Sequence, residues 1–361
     1  MLSDHEFNKA QGAFRFLVLM ALFDADPVQA EAACAGRAAI YRTTPEVVSA
    51  FKAAVGWLGA GGNGSVAQVQ NLVGTFLQLV RARTVRGRLP LRLMPPNTSM
   101  LAIGSGAAAA FLAEGQPLRI SKLALERETV ALFKLGASLV WTKELLLSSN
   151  PLAERAFAQA LLDCCVAYED LQFLDPGIGP VAGTSPGSIT YGLTGSDVVD
   201  SSGAGATEIR ADLKRLFAPF TGSDAALDRA YVILSAQSAV HLSLLCGEDG
   251  GLMFPKIGAR GGEICGVPAV VSAACTLAGS PGENFAVLVD PSRVLYSESP
   301  AVEIESASHA TLQMDSAPGD GEQPLLVSLW SSGLKALKIV KPVSWRLAAG
   351  GGCTILRGMA Y

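Results

Sequence analysis

The chain is 361 residues long, carries 28 Lys and Arg against 32 Asp and Glu for a net charge of −4, and is 50% hydrophobic with 17% charged residues. That balance supports a sizeable core, excludes a disordered chain, and gives no overall electrostatic pull toward nucleic acid or a membrane surface. The length allows two domains, and seven scattered cysteines without a C-x-x-C pair read as reduced thiols packed like small apolar residues rather than as a disulfide scaffold.

Residues 1–58 read as helical in two or three pieces. The first spans Asp4 to Phe23. Its apolar run, Phe16 to Phe23, is shorter than the ~20 residues a membrane crossing needs. It runs into acidic Asp24-Ala25-Asp26-Pro27 rather than a cleavage site, so a soluble, cytoplasmic, unsecreted chain is expected. Asp26-Pro27 opens an alanine-rich second helix, and Thr44-Pro45-Glu46 opens a third that ends at Trp57-Leu58. Gly59 to Gly64 matches G-x-G-x-x-G, but a helix rather than a strand precedes it. That argues against dinucleotide binding and for a flexible linker.

Val66 to Val80 reads as a short helix. Five arginines follow: Arg81, Arg83, Arg86, Arg88 and Arg92. No aromatic residues interleave them, so the cluster reads first as salt bridging within the chain or between subunits, and second as contact with nucleic-acid phosphates. Leu93 to Arg127 alternates short extended segments with small residues and turn formers. It is expected to be a long two-stranded excursion whose pliable tip holds Glu114, Gln116 and Arg119. Val130 to Trp141, rich in β-branched and apolar residues, is a strand.

Asn150-Pro151 then opens the dominant element, with Asn as N-cap and Pro at the first helical position. Ala153, Phe157, Ala160, Leu161, Cys164, Tyr168 and Leu171 recur at helical spacing, and Asp175-Pro176-Gly177 stops the run. Pro151 to Leu174 makes a rod of roughly 36 Å at about 1.5 Å per residue. Its carboxylates Asp163, Glu169 and Asp170 are expected on a solvated face rather than as a catalytic pair.

Beyond the helix, residues 177–205 are rich in loop formers. Gly183-Thr184-Ser185-Pro186-Gly187 matches G-x-S-x-G and raises a serine hydrolase using Ser185 as an alternative. Two features oppose it: Pro186 has no N–H for an oxyanion hole, and the motif follows a helix stop rather than a strand. A helix is expected over Thr207 to Phe217, a strand over Ala230 to Leu234 and a helix over Ser238 to Leu245. A strand at Asn284 to Val289 and two or three more over residues 294–314 come next. Pro324 to Trp330 reads as a helical turn, and strands around Ile339 to Trp345 and Thr354 to Leu356 close the chain. Strands and helices do not alternate regularly, so the class is α+β. Three distant histidines and no phosphate loop leave no catalytic, metal or cofactor site to assign, and no enzyme is expected. His241 is expected as a core or interface residue.

The order of parts resembles the major capsid proteins of tailed double-stranded DNA bacteriophages and prophages, which have the Hong Kong 97 fold. The likeness is carried by Val85-Arg86-Gly87-Arg88-Leu89-Pro90 before the long hairpin, Trp141-Thr142-Lys143-Glu144-Leu145, the helix after Ser148-Ser149-Asn150-Pro151, and Phe173-Leu174-Asp175-Pro176. It continues in Gly266 to Ser272, Asn284 to Pro291, Val302 to Ser306, Leu329-Trp330 and the closing strands, over about residues 66–358.

The resemblance implies an N-arm over 1–65, an arm-to-core segment over 66–92 and an extended E-loop over 93–127. It further implies a peripheral domain over 128–194 with a spine helix at 151–174, an axial domain over 195–298, and a return to the peripheral domain over 299–361. It also implies hexamers and pentamers closing an icosahedral head around double-stranded DNA. Portal, scaffold and cement proteins would be partners, with assembly in the bacterial host cytoplasm and no membrane. An encapsulin-type nanocompartment shares the fold and is the alternative shell. Some relatives weld subunits through a lysine, an asparagine and a glutamate. Here Lys122 lies only near the base of the hairpin, and Leu325 to Lys341 has neither glutamate nor asparagine, so no isopeptide crosslink is expected. Residues 1–64 are short for a cleaved scaffolding domain, so an uncleaved N-arm or a separate scaffold is expected.

Overall fold

The computed structural model describes residues 15, 16, 19, 27–36, 47, 78–95, 99–105, 124–142, 144, 151–221, 227–247, 250–277, 283–299, 303–313, 326–348, 351–359 and 361. In chain order the elements are α1 (Pro27–Gly36), α2 (Val85–Arg88), β1 (Arg92–Met94), β2 (Ser99–Ser105), β3 (Ala124–Thr129), β4 (Phe133–Thr142), α3 (Pro151–Leu174), β5 (Val198–Asp200), α4 (Ala206–Thr221), β6 (Tyr231–Leu234) and α5 (Ala236–Leu244). They continue as β7 (Ile257–Gly258), β8 (Gly261–Ile264), β9 (Val267–Val271), β10 (Asn284–Val289), β11 (Val294–Glu298), β12 (Glu303–Ala307), β13 (Thr311–Gln313), β14 (Leu326–Ser328), β15 (Leu334–Leu347) and β16 (Cys353–Met359). Two compact units result. One comprises Met1–Arg83, Leu135–Val166 and Pro300–Lys341, and the other Thr84–Lys134, Ala167–Ser299 and Pro342–Tyr361.

The larger unit is built on a seven-stranded mixed sheet, ordered β5-β16-β10-β6-β9-β8-β7. All six residues of β10 are buried, as expected of an apolar strand flanked on both edges. It pairs antiparallel with β16 (Val287 opposite Ile355) and with β6 (Val287 opposite Ile233). β6 and β9 run parallel, an arrangement that needs a crossover, and α5 lies on that path. Ser235 caps α5, its hydroxyl accepting the Ser238 N–H at 3.0 Å. The apolar stripe of α4 (Ile209, Leu213, Leu216, Phe220) buries into one core with Val232, Leu234, Leu288 and Leu356. Each such side chain contributes about 1.5–3 kcal/mol of transfer free energy. α4 runs past the expected end at Phe217, through Pro219 to Thr221, because burying Phe220 at 3% exposure offsets the bond that Pro219 cannot donate.

β7 and β8 form a tight hairpin at the sheet's end, Gly258 opposite Gly261 and Ile257 opposite Gly262. Gly262 sits at φ +144°, and a Cβ there would lie 2.0 Å from the Lys256 carbonyl oxygen, whereas one on Gly258 would meet nothing within 4 Å. Gly262→Ala should therefore destabilise the unit by about 1–3 kcal/mol, while Gly258→Ala leaves it near wild type. Thermal denaturation of the two variants side by side checks this.

In the smaller unit, β12 pairs antiparallel with Ala336–Val340 of β15, and an exposed Lys338–Glu305 pair at 3.1 Å joins opposed positions. In the larger unit Val343–Leu347 of the same strand pairs with β11, and β1 adds parallel to β11. Partners at both ends explain why β15 exceeds the expected Ile339–Trp345. Of the helical turn expected at Pro324 to Trp330, residues 326–330 are described and do not form it. Leu326–Ser328 is β14, in register with β13 (Val327 opposite Leu312), and the chain turns only afterwards, where Gly333 takes φ +61°. Cross-strand pairing overrides the local pattern there.

β2 and β3 pair antiparallel from Ser99–Thr129 to Ser105–Ala124, a two-stranded pairing that runs two residues past the expected end of the excursion at Arg127. Its tip, with Glu114, Gln116 and Arg119, lies outside the described residues, as do Lys122 and the glycine cluster at 59–64. α1 begins where Asp26-Pro27 predicted a helix. Of the first and third expected N-terminal helices, only Arg15, Phe16, Leu19 and Val47 are described, all helical and buried.

Candidate functional site: a buried arginine cluster

The arginine-rich stretch folds inward at one turn of helix. Thr84 is extended and caps α2, its hydroxyl accepting the Gly87 N–H at 3.2 Å. Val85 is buried, and the Arg86 side chain is 1% exposed. A buried guanidinium requires paired charge. Arg86 Nε forms an ion pair with Glu169 of α3, and its Nη1 lies 3.4 Å from Glu298 Oε2 of β11. The guanidinium carbon stands 4.3 Å from the centroid of the Tyr296 ring, and the Tyr296 hydroxyl donates to the same Glu298 oxygen. The planar cation is thus stacked on one side and forked between two carboxylates, a geometry lysine does not reproduce.

Asp170, next along α3, serves the backbone. Its Oδ1 accepts the Val85 N–H at 2.8 Å and its Oδ2 accepts the Ser272 hydroxyl at 3.1 Å. Burial pushes the Asp170 carboxyl up to about 7, against the lowering effect of those two bonds; the Glu169 charge adds to the rise and Arg88 opposes it. Arg88 donates to the Val271 carbonyl at 3.0 Å. Helix α2 is thereby fastened to the end of α3, to the exit of β9 and to β11, all within the larger unit.

The same end of α3 also straps down the loop that follows it. Gln172 donates to the Pro186 carbonyl at 2.7 Å, Thr190 to the Leu174 carbonyl at 2.7 Å, and Trp345 Nε1 to the Gly187 carbonyl at 3.0 Å. Phe173 meets Trp345 edge to face, with centroids 5.4 Å apart. The G-x-S-x-G match therefore has a packing explanation: a Cβ on Gly187 would strike Pro180 at 2.9 Å, and the Ser185 N–H donates to Val181.

The predicted arginines take different positions. Arg81 is exposed; Arg83 is half-buried with Asp163 at 3.4 Å. Arg88 and Arg92 are exposed. Arg86 is turned into its own chain, where two acidic side chains distant in sequence supply the charge it needs; of the roles expected for the cluster, it takes salt bridging within the chain. Glu169 and Asp170, expected on a solvated face, are 1% and 6% exposed, whereas Asp163 is exposed as expected. Sequence reasoning missed Glu169, Asp170, Ser272, Tyr296 and Glu298. One signal was present: Glu169 lies on the same helical stripe as the buried Leu162 and Phe173. Among the described residues no group of three His, Cys, Asp or Glu is placed to hold a metal ion, and no helix is long and apolar enough to cross a membrane.

No protein-family model matches the chain. Its fold does match solved structures. A structure of Gordonia phage Cozz superposes with a TM-score of 0.54 at 12% identity, over 79% of this chain and 87% of that one. One of Mycobacterium phage Ogopogo gives 0.54 at 13%, over 77% and 91%. The capsid of the native GTA particle computed with C5 symmetry gives 0.52 at 13%, over 76% and 90%. The chain has the α+β Hong Kong 97-type fold of phage capsid proteins.

In sequence it is related to a capsid polyprotein of Pseudomonas phage PAJU2, 30% identical over 294 residues, which is 79% of this chain. It spans less than half, 43%, of that relative's length.

Proposed function

We propose that the chain is the major capsid protein of a tailed double-stranded DNA phage or prophage. It acts as a structural, non-enzymatic subunit that assembles with its own copies into the hexamers and pentamers of an icosahedral head. The observation that carries this reading is the coincidence of a capsid-polyprotein relationship over 79% of the chain with the capsid fold. The two-stranded β2–β3 sheet supports it physically. Each of its strands has one edge without a strand partner among the described residues, and lending such edges to a neighbouring subunit satisfies them. Residues 93–127 are the proposed E-loop, 151–174 the spine helix and 195–298 the axial domain. Arg81, Arg83, Arg88 and Arg92 are the proposed inter-subunit or DNA contacts. Portal, scaffold and cement proteins are the proposed partners, with assembly in the host cytoplasm and DNA bound non-specifically.

Negative-stain electron microscopy of the purified full chain tests the proposal. Uniform polyhedral shells are expected, and a monodisperse small species that never assembles overturns it. Double-stranded DNA inside particles recovered from the native host separates a phage head from a nanocompartment.

A further inference from the structure

Asp170 is a buried carboxylate at the junction of three elements. Its Oδ1 takes the first N–H of α2, which has no acceptor within the turn itself. Its Oδ2 takes the hydroxyl of Ser272 at the exit of β9, and the same serine oxygen accepts the Ala274 N–H at 3.2 Å. Among the described residues, the charged and titratable groups facing it come from α3, α2, the segment after β9, and β11. Glu169 lies beside it on α3 and is engaged by Arg86. Arg88 faces it from α2 and is held by the Val271 carbonyl. Cys275, after β9, is a fully buried thiol pushed upward first by burial and then by the Asp170 charge. β11 contributes Tyr296 and Glu298, which engage Arg86.

We propose that Asp170 is a protonation-sensitive latch that, when protonated, holds the arginine turn against the long helix and the exit of β9 and, when ionised, lets the turn lift away. A neutral carboxyl keeps one oxygen to accept from Val85 and gains an O–H to donate to Ser272. An ionised one keeps both acceptors but places a second negative charge beside Glu169, out of water. In the closed arrangement burial raises the carboxyl from 3.8 to about 7; once lifted into water it returns to the ordinary range. The closed form is therefore fully favoured below that ordinary range and loses its advantage as pH rises through about 7. By this linkage the opening equilibrium rises about a hundredfold between about pH 5 and about pH 9. The latch belongs to the chain's own fold and stands whether or not the shell reading does.

Hydrogen exchange at the Val85 amide of the full chain, corrected for intrinsic exchange, reads the latch directly. The protection factor is expected to fall about a hundredfold over that pH range, and Asp170→Asn, which keeps the shape without the charge, holds it high and flat. A flat wild-type profile, or an Asn variant that falls like wild type, overturns the proposal. Ser272→Ala provides a second arm should the Asn variant not fold. Removing a donor to the ionised carboxylate should move the midpoint to higher pH, and an unmoved midpoint also counts against the latch.

Discussion

Arg86→Met should destabilise the larger unit by about 3–5 kcal/mol, the usual penalty for removing one partner of a buried ion pair. The loss comes chiefly from what is left behind. Glu169, at 1% exposure, would lose the guanidinium that pairs with it out of water, and the second carboxylate, Glu298, would lose its share of the same guanidinium. The Tyr296 face would lose its stacked cation as well, worth about 0.5–2 kcal/mol by itself. Arg86→Lys keeps the charge but not the plane or the fork, so it should fall between wild type and Met. Combining Arg86→Met with Glu169→Leu should recover most of the loss, because an apolar replacement of both partners removes the stranded charge. Urea denaturation followed by circular dichroism separates the three variants. A double variant as unstable as the single one would mean that Arg86 acts through packing and stacking rather than by neutralising Glu169.

How legible this cluster was in the sequence depends on separation along the chain. The long helix was plain from residues 151–174, because its start, apolar period and stop are all local signals, and the observed helix has those bounds. Its buried face was harder to assign. The stripe chosen by apolar spacing passes through Ala160, Cys164 and Tyr168, which are exposed, while the face that goes inward carries Leu162, Glu169 and Phe173. Two acidic residues there made the helix end look solvated, and only partners distant in sequence make their burial tolerable: Arg86, 83 residues earlier, for Glu169, and the Val85 N–H and Ser272 hydroxyl for Asp170. β10 was legible for the opposite reason: its five apolar residues, Phe285 to Val289, are flanked on both edges and need no polar partner in the core, and the one polar residue, Asn284, bonds Thr276 and the Tyr361 carbonyl at the strand's start. The helical turn expected at 324–330 failed as a local reading over residues 326–328, because β14 exists only by virtue of its pairing with β13. The overall class and the resemblance rested on the order of many such elements, so single local errors did not disturb them.

Trp345→Ala should produce the other large loss, about 3–5 kcal/mol, the range for emptying a buried aromatic site. The ring is 4% exposed, stands opposite Tyr296 in the β11–β15 register, and meets Phe173 edge to face at 5.4 Å. Its N–H also holds the Gly187 carbonyl at 3.0 Å, so truncation opens a cavity and strands an acceptor together. Trp345→Phe divides the two effects. The ring contact with Phe173 survives and the donor is lost, so about 1–3 kcal/mol should be missing. Trp330→Ala is the internal control: at 68% exposure it should leave stability within about 0.5 kcal/mol of wild type. Because Gly187 lies in the loop that Gln172 and Thr190 also strap to the end of α3, the Ala variant should loosen that loop before the unit unfolds. Limited proteolysis would then cut within residues 177–187 in the Ala variant and not in the Phe variant at matched fractions folded. Equal resistance in both would place the strap in the glutamine and threonine bonds alone and reduce Trp345 to a core side chain.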